Sequence, residues 1–172
     1  DNNEKLRILK DYMDMTVYKD LVERYGLKNP SLIKWLIRAI VSSAAKELSL
    51  NSLYLSLKSQ GLKVSKNTLY SYFGALEDSL FVFALRKFER SSKVEGLSIP
   101  KVYLDDIGFI NLFSLENYGQ RIENIALLHL LMLKNKNPIM DVNYWKSQEE
   151  KEVDFIVSEG KKAVSAIQVC YS

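Results

Sequence analysis

The apolar residues change their spacing part-way along the chain, and that change limits the fold more than any other feature. Up to residue 80 they recur every three or four positions, which is one face of a helix. From residue 140 onward they run in short stretches rich in β-branched and aromatic residues, which is the pattern of strands. Over residues 4–25 the helical face is Leu6, Leu9, Met13, Val17 and Leu21, closed by Gly26. A second helix opens at Asn29-Pro30, a capping residue followed by a proline that fits the first turn, and turns Ile33, Leu36, Ile37, Ile40, Val41 and Ala44 inward. Leu50, Leu53, Tyr54 and Leu57 mark a third helix that stops at Gly61. Leu69, Tyr72, Phe73, Leu76 and Leu80 mark a fourth, with Ser65 as its N-cap.

Two short helices joined by a glycine-containing turn form a helix-turn-helix pattern. Residues 80–88 and 101–104 read as two strands around a polar loop at 90–98, which would make a basic wing. Beyond residue 105 the spacing predicts a short helix over 107–113. A long helix follows over 119–134, with Ile122, Ile125, Ala126, His129, Leu130 and Leu133 along it. Three strands are expected at 142–146, 152–158 and 163–171. The expectation is an α+β chain: a helical, winged helix-turn-helix region over 1–104 and an α/β region over 105–172.

Composition narrows the function classes. Basic residues outnumber acidic ones over residues 1–100, and the reverse holds over 101–172, within a net charge of +3. A basic front half suits phosphate and an acidic back half suits a cation. A single cysteine, Cys170, excludes an internal disulfide and points to a reducing cytoplasm. No apolar run approaches the ~18 residues that a spanning helix needs, so no membrane partner is expected. The chain has no glycine-rich phosphate loop, so ATP hydrolysis is not expected of these residues.

Two constellations carry chemistry. On the fourth helix, Lys66, Asn67, Tyr70 and Ser71 fall where a recognition helix meets a major groove, and Arg86, Lys87, Arg90 and Lys93 could add phosphate contacts from the wing. Glu77 and Asp78, at the far end of the helix, would repel a phosphate backbone, so docking to a protein partner stands beside duplex DNA as a reading. The second constellation is Glu123, Asp154 and Gln168-Val169-Cys170. A Mg2+-dependent nuclease of the restriction-enzyme type clusters a helix glutamate, a strand aspartate and Glu-x-Lys on the next strand. Asp154 lies in an apolar strand, an expensive place for a carboxylate without a partner. The bland alternative for Glu123 and Asp154 is a structural role. His129 reads as a core or boundary residue, Cys170 as a buried inert thiol, and Glu149, Glu150 and Glu152 as a solvated turn.

Several stretches together resemble the uncharacterised region that follows the motor in many archaeal and bacterial AAA-type ATPases. They are Asp20-Leu21-Val22-Glu23-Arg24-Tyr25, Val64-Ser65-Lys66-Asn67-Thr68-Leu69-Tyr70-Ser71-Tyr72, Leu76-Glu77-Asp78, Lys101-Val102-Tyr103-Leu104-Asp105-Asp106-Ile107-Gly108, Ile122-Glu123-Asn124, Tyr144-Trp145 and Glu152-Val153-Asp154-Phe155. The resemblance implies a winged helix followed by a part similar to the PD-(D/E)xK nuclease fold. It implies an ATPase core, with its ATP and Mg2+, before residue 1, and the rest of the nuclease-like sheet after residue 172, so the chain reads as truncated at both ends. It matches Glu123 to the helix glutamate and Asp154 to the strand aspartate, with Mg2+ expected there if anywhere. Gln168 and Cys170 depart from the pattern, standing where glutamate and lysine are usual. The expected role is that of a non-catalytic C-terminal region serving DNA binding or protein docking; the alternative is a nuclease with an altered active site.

Overall fold

The structure, a computed structural model, describes residues 2–89, 91–112 and 117–170. The elements run α1 (Asn2–Thr16), a π-helical continuation (Val17–Arg24), α2 (Pro30–Ser42), β1 (Lys46–Glu47), α3 (Leu50–Ser59), α4 (Lys66–Asp78), β2 (Val82–Leu85), α5 (Ser92–Leu97), β3 (Lys101–Leu104), α6 (Gly108–Leu112), α7 (Tyr118–Lys136), β4 (Met140–Lys146), β5 (Glu152–Glu159) and β6 (Lys162–Ile167). The chain is α+β, with two three-stranded sheets ordered β1-β3-β2 and β4-β5-β6.

Two compact units divide the chain, and not at a single point. One comprises Asp1–Ser43, Leu48–Phe83 and Leu104–Glu116; the other comprises Ala44–Glu47, Ala84–Tyr103 and Asn117–Ser172. A cut between residues 104 and 105 therefore does not describe it. Lys101 and Tyr103 belong with α7 and β5 because their polar ends find their partners there.

The first unit is helical. α2 buries Ile33, Leu36, Ile37, Ile40 and Val41, five of the six residues that its spacing singled out, and Leu32 as well; Ala44 is buried but lies past the end of the helix. Asn29 caps it by accepting from the Leu32 amide at 3.0 Å, while its own N–H donates to the Tyr72 hydroxyl of α4 at 3.0 Å. Ser49 and Ser65 cap α3 and α4 in the same way. α3 and α4 pack together around a turn in which Gly61 takes φ +77°, a conformation that costs a residue with a Cβ dearly. α4 buries Leu69, Tyr72, Phe73, Ala75 and Leu76, but Leu80 lies beyond its end and is exposed. A Cβ at Gly108 would lie 2.9 Å from Asp106 Oδ1 and 3.1 Å from Leu9, so those side chains would have to shift to admit one.

The second unit departs from expectation in three places. The loop between β2 and β3 contains α5, and β3 is buried at all four positions and central in its sheet, so these strands do not make an exposed hairpin. Strand β6 ends at Ile167 rather than at residue 171. On α7 the buried residues are Asn124, Leu127 and Leu130, whereas Ile122, Ile125, Met132 and Leu133 are exposed, as is His129. Part of the apolar surface of α7 therefore faces outward, and its buried side combines Leu127 and Leu130 with the polar Asn124.

Candidate functional site

β3 and β5 supply the site, and strand alternation explains how. Along Lys101-Val102-Tyr103-Leu104, residues 101 and 103 share one face; along β5, so do Glu152 and Asp154. The antiparallel register that pairs Phe155 with Ile167 brings Gln168 level with Asp154. Glu123 comes from the first half of α7, whose N-terminus is capped by Asn117 accepting from the Gln120 amide.

Lys101 is the centre of the arrangement. Its Nζ lies 2.9 Å from Glu123 Oε1 and 3.5 Å from Asp154 Oδ1, and pairs closely with Glu152. It also stands 5.9 Å from the centre of the Tyr144 ring. The Tyr103 hydroxyl donates to Glu123 Oε1 at 2.7 Å. Asp154 Oδ2 accepts from the Gln168 amide at 2.8 Å and from the Val169 N–H at 2.8 Å. Lys101 is only 3% exposed and Asp154 only 5%, so these partners replace water.

Burial alone would pull the Lys101 ammonium down, but Glu152 and Glu123 more than offset it and hold it above the usual lysine value of 10.5. The stability contributed by Lys101 is complete below 10.5 and lost only as pH rises through the higher folded value. Burial pushes the Glu123 carboxyl up, against the pull of Lys101 and the Tyr103 hydroxyl, and Asp154 adds to the rise. Burial, then Glu123, drives the Tyr103 hydroxyl far above its ordinary value, so it stays a donor.

The structure brings together Glu123, Asp154 and Gln168. Cys170 is exposed rather than buried. Position 170 carries no ammonium; the one that lies against Glu123 and Asp154 belongs to Lys101, which the sequence placed only at the start of a strand. Glu152 likewise leaves the solvated turn and joins the cluster. The signals that could have found them were Lys101 and Tyr103 alternating with apolar residues, and Glu152 two residues from Asp154.

Glu123 and Asp154, as they stand, do not fit the Mg2+ implied by the resemblance. An ionised carboxylate only accepts hydrogen bonds, so Gln168 must present its NH2 rather than its carbonyl oxygen to Asp154. The space that the carboxylates share is taken by the ammonium.

On α4, in the other unit, Lys66, Asn67, Tyr70 and Ser71 are all exposed, with the Lys66 ammonium 5.6 Å from the centre of the Tyr70 ring. The residues expected on a wing behave differently. The Arg86 guanidinium donates to the Ser98 carbonyl at 3.2 Å, and Lys87 pairs with Glu89 at 3.4 Å. Lys93 is exposed. Arg90 lies outside the described residues.

A family model for a domain of unknown function, DUF8612, matches residues 1–119, more than half of the chain. The chain belongs to the DUF8612 family. The matched DUF8612 residues include α4, Lys101 and Tyr103, while Glu123, Asp154 and Gln168 lie beyond them. The chain is 31% identical over 99% of its length to the uncharacterized protein MJ1544 of Methanocaldococcus jannaschii, covering 38% of that protein. It is 23% identical over 97% of its length to an uncharacterized protein of Haemophilus influenzae, covering 41% of it. This DUF8612 chain thus spans about two fifths of the length of the curated relatives it matches. No solved structure matches it. Among the described residues, no helix is long and apolar enough to cross a membrane.

Proposed function

We propose that this chain is the non-catalytic C-terminal region of a prokaryotic AAA-type ATPase and that α4, as the recognition helix of a helix-turn-helix, contacts duplex DNA in the cytoplasm. The observation that carries the reading is the row Lys66, Asn67, Tyr70 and Ser71, four residues able to meet phosphates or base edges, all exposed on one buried-backed helix. The motor, with its ATP and Mg2+, belongs to the additional length seen in the relatives, and binding by α4 would couple to it.

The test is fluorescence anisotropy with a labelled duplex. Binding is expected at ~50 mM salt and should fall steeply towards ~200 mM, because phosphate contacts release counterions. Lys66→Ala should weaken binding for all sequences alike and reduce the log–log salt slope by about 1. Absence of binding at low salt would transfer α4 to a protein partner.

The competing reading is a Mg2+-dependent nuclease with an altered active site over the PD-(D/E)xK-like part. Its support is the Lys101 ammonium beside Asp154 and Glu123, which restores a charge that position 170 lacks. It requires Lys101 to withdraw from the carboxylates before a metal enters. Cleavage is therefore expected to stay at background with Mg2+ or Mn2+ in a plasmid-nicking assay; cleavage that Asp154→Ala abolishes would establish the nuclease instead.

A further inference from the structure

Three carboxylates and one buried ammonium make a cluster whose counter-charge is part of the chain. Glu123 Oε1 already takes two donors, Lys101 and Tyr103; Asp154 Oδ1 faces Lys101; Asp154 Oδ2 takes two more from Gln168 and Val169. Glu152, the most exposed of the three acids, pairs with Lys101 as well. A divalent ion could bind only by displacing the ammonium, and the lysine would then be a buried cation pushed against another.

We infer that Lys101 is a built-in counter-cation, standing where the resemblance implies a divalent ion, and that removing it opens the Glu123–Glu152–Asp154 cluster to such an ion. The inference is independent of what α4 binds. It concerns ion size as well as charge. Nζ lies 2.9 Å from Glu123 Oε1 and 3.5 Å from Asp154 Oδ1, and pairs closely with Glu152. Mg2+ draws its oxygens to about 2.0–2.1 Å in a rigid octahedron, and Ca2+ to about 2.3–2.6 Å in looser shells. Among the described residues no three acidic, histidine or cysteine side chains are close enough to hold a metal as they stand, so the carboxylates must close inward. Ca2+ asks for less closure than Mg2+ and is the better probe.

Thermal unfolding of the whole chain, with Ca2+ titrated calorimetrically in parallel, tests this. The unaltered chain should keep the same Tm with EDTA, millimolar Mg2+ or millimolar Ca2+, and should give no binding heat that depends on Asp154. Lys101→Met, which keeps the length of the side chain and removes its charge, should lower the Tm by about 10 °C or more. Ca2+ should restore much of that loss and Mg2+ less, and the recovery should vanish in Lys101→Met/Asp154→Asn. Ca2+ or Mg2+ binding to the unaltered chain that Asp154→Asn removes would overturn the inference. So would a Lys101→Met chain indifferent to both ions, or one that stays unfolded with Ca2+ present.

Discussion

Asp154→Ala is expected to lower stability by about 3–5 kcal/mol, the range for breaking a buried charge pair by removing one partner. The substitution takes acceptors from three donors at once. The Val169 N–H and the Gln168 amide lose their partner at Oδ2, and the Lys101 ammonium loses one of its three carboxylates. Lys101 is the buried one of the three, and an unsatisfied buried donor costs about 1–3 kcal/mol, more where charge is involved. Asp154→Asn should recover only part of this, because one of the two acceptors becomes an NH2 among groups that already donate. Urea unfolding read by circular dichroism measures both. A loss below ~1 kcal/mol, the scale of an exposed pair, would mean that water enters the cluster and that its donors are satisfied without Asp154.

The second large effect separates the two faces of α4. Leu76 is wholly buried beside Leu69 and Phe73, whereas Tyr70 is 45% exposed. Leu76→Ala should cost about 2–5 kcal/mol, the transfer term plus the cavity left in a packed core. Duplex binding would then be lost along with the helix that carries it. Tyr70→Ala should leave stability within ~0.5 kcal/mol, as surface substitutions do, and weaken duplex binding in the anisotropy assay. The pair distinguishes a binding face from a folding face. If Tyr70→Ala destabilises the chain as much as Leu76→Ala, α4 has a packed outer face and the DNA reading fails. If Tyr70→Ala leaves both stability and duplex binding unchanged, Tyr70 is not part of the contact.

How much of this was legible in the sequence differs from element to element for a physical reason. Most of the inward face of α2 was readable because that face is entirely apolar, so the spacing of Ile33 to Val41 and the direction of the core are the same information, although Leu32 was missed and Ala44 lies past the helix end. The capping residues Asn29 and Ser65 were readable because a cap acts within three residues. α7 was readable as a helix, but its inward side was not. Leu127 and Leu130 are buried there beside Asn124 and Glu123 reaches Lys101, so Ile122, Ile125 and Leu133 are left outside. A hydrophobic pattern locates the core only where the core is hydrophobic.

The same distinction runs through the site. That Asp154 needs partners followed from its place in an apolar strand, since a carboxylate leaves water only for compensating bonds. The hairpin pattern that puts β6 beside β5 is local, so Gln168 opposite Asp154 was within reach of the sequence. Lys101 was not. It meets Asp154 across 53 positions of chain and Glu123 across 22, and nothing in its neighbours names the acids it will neutralise. Local spacing determined the helices, their caps and the demand for a counter-charge. Only the tertiary structure decided which cation would meet it, because a buried charge is balanced by whatever the fold brings within a few ångströms, however distant in the chain.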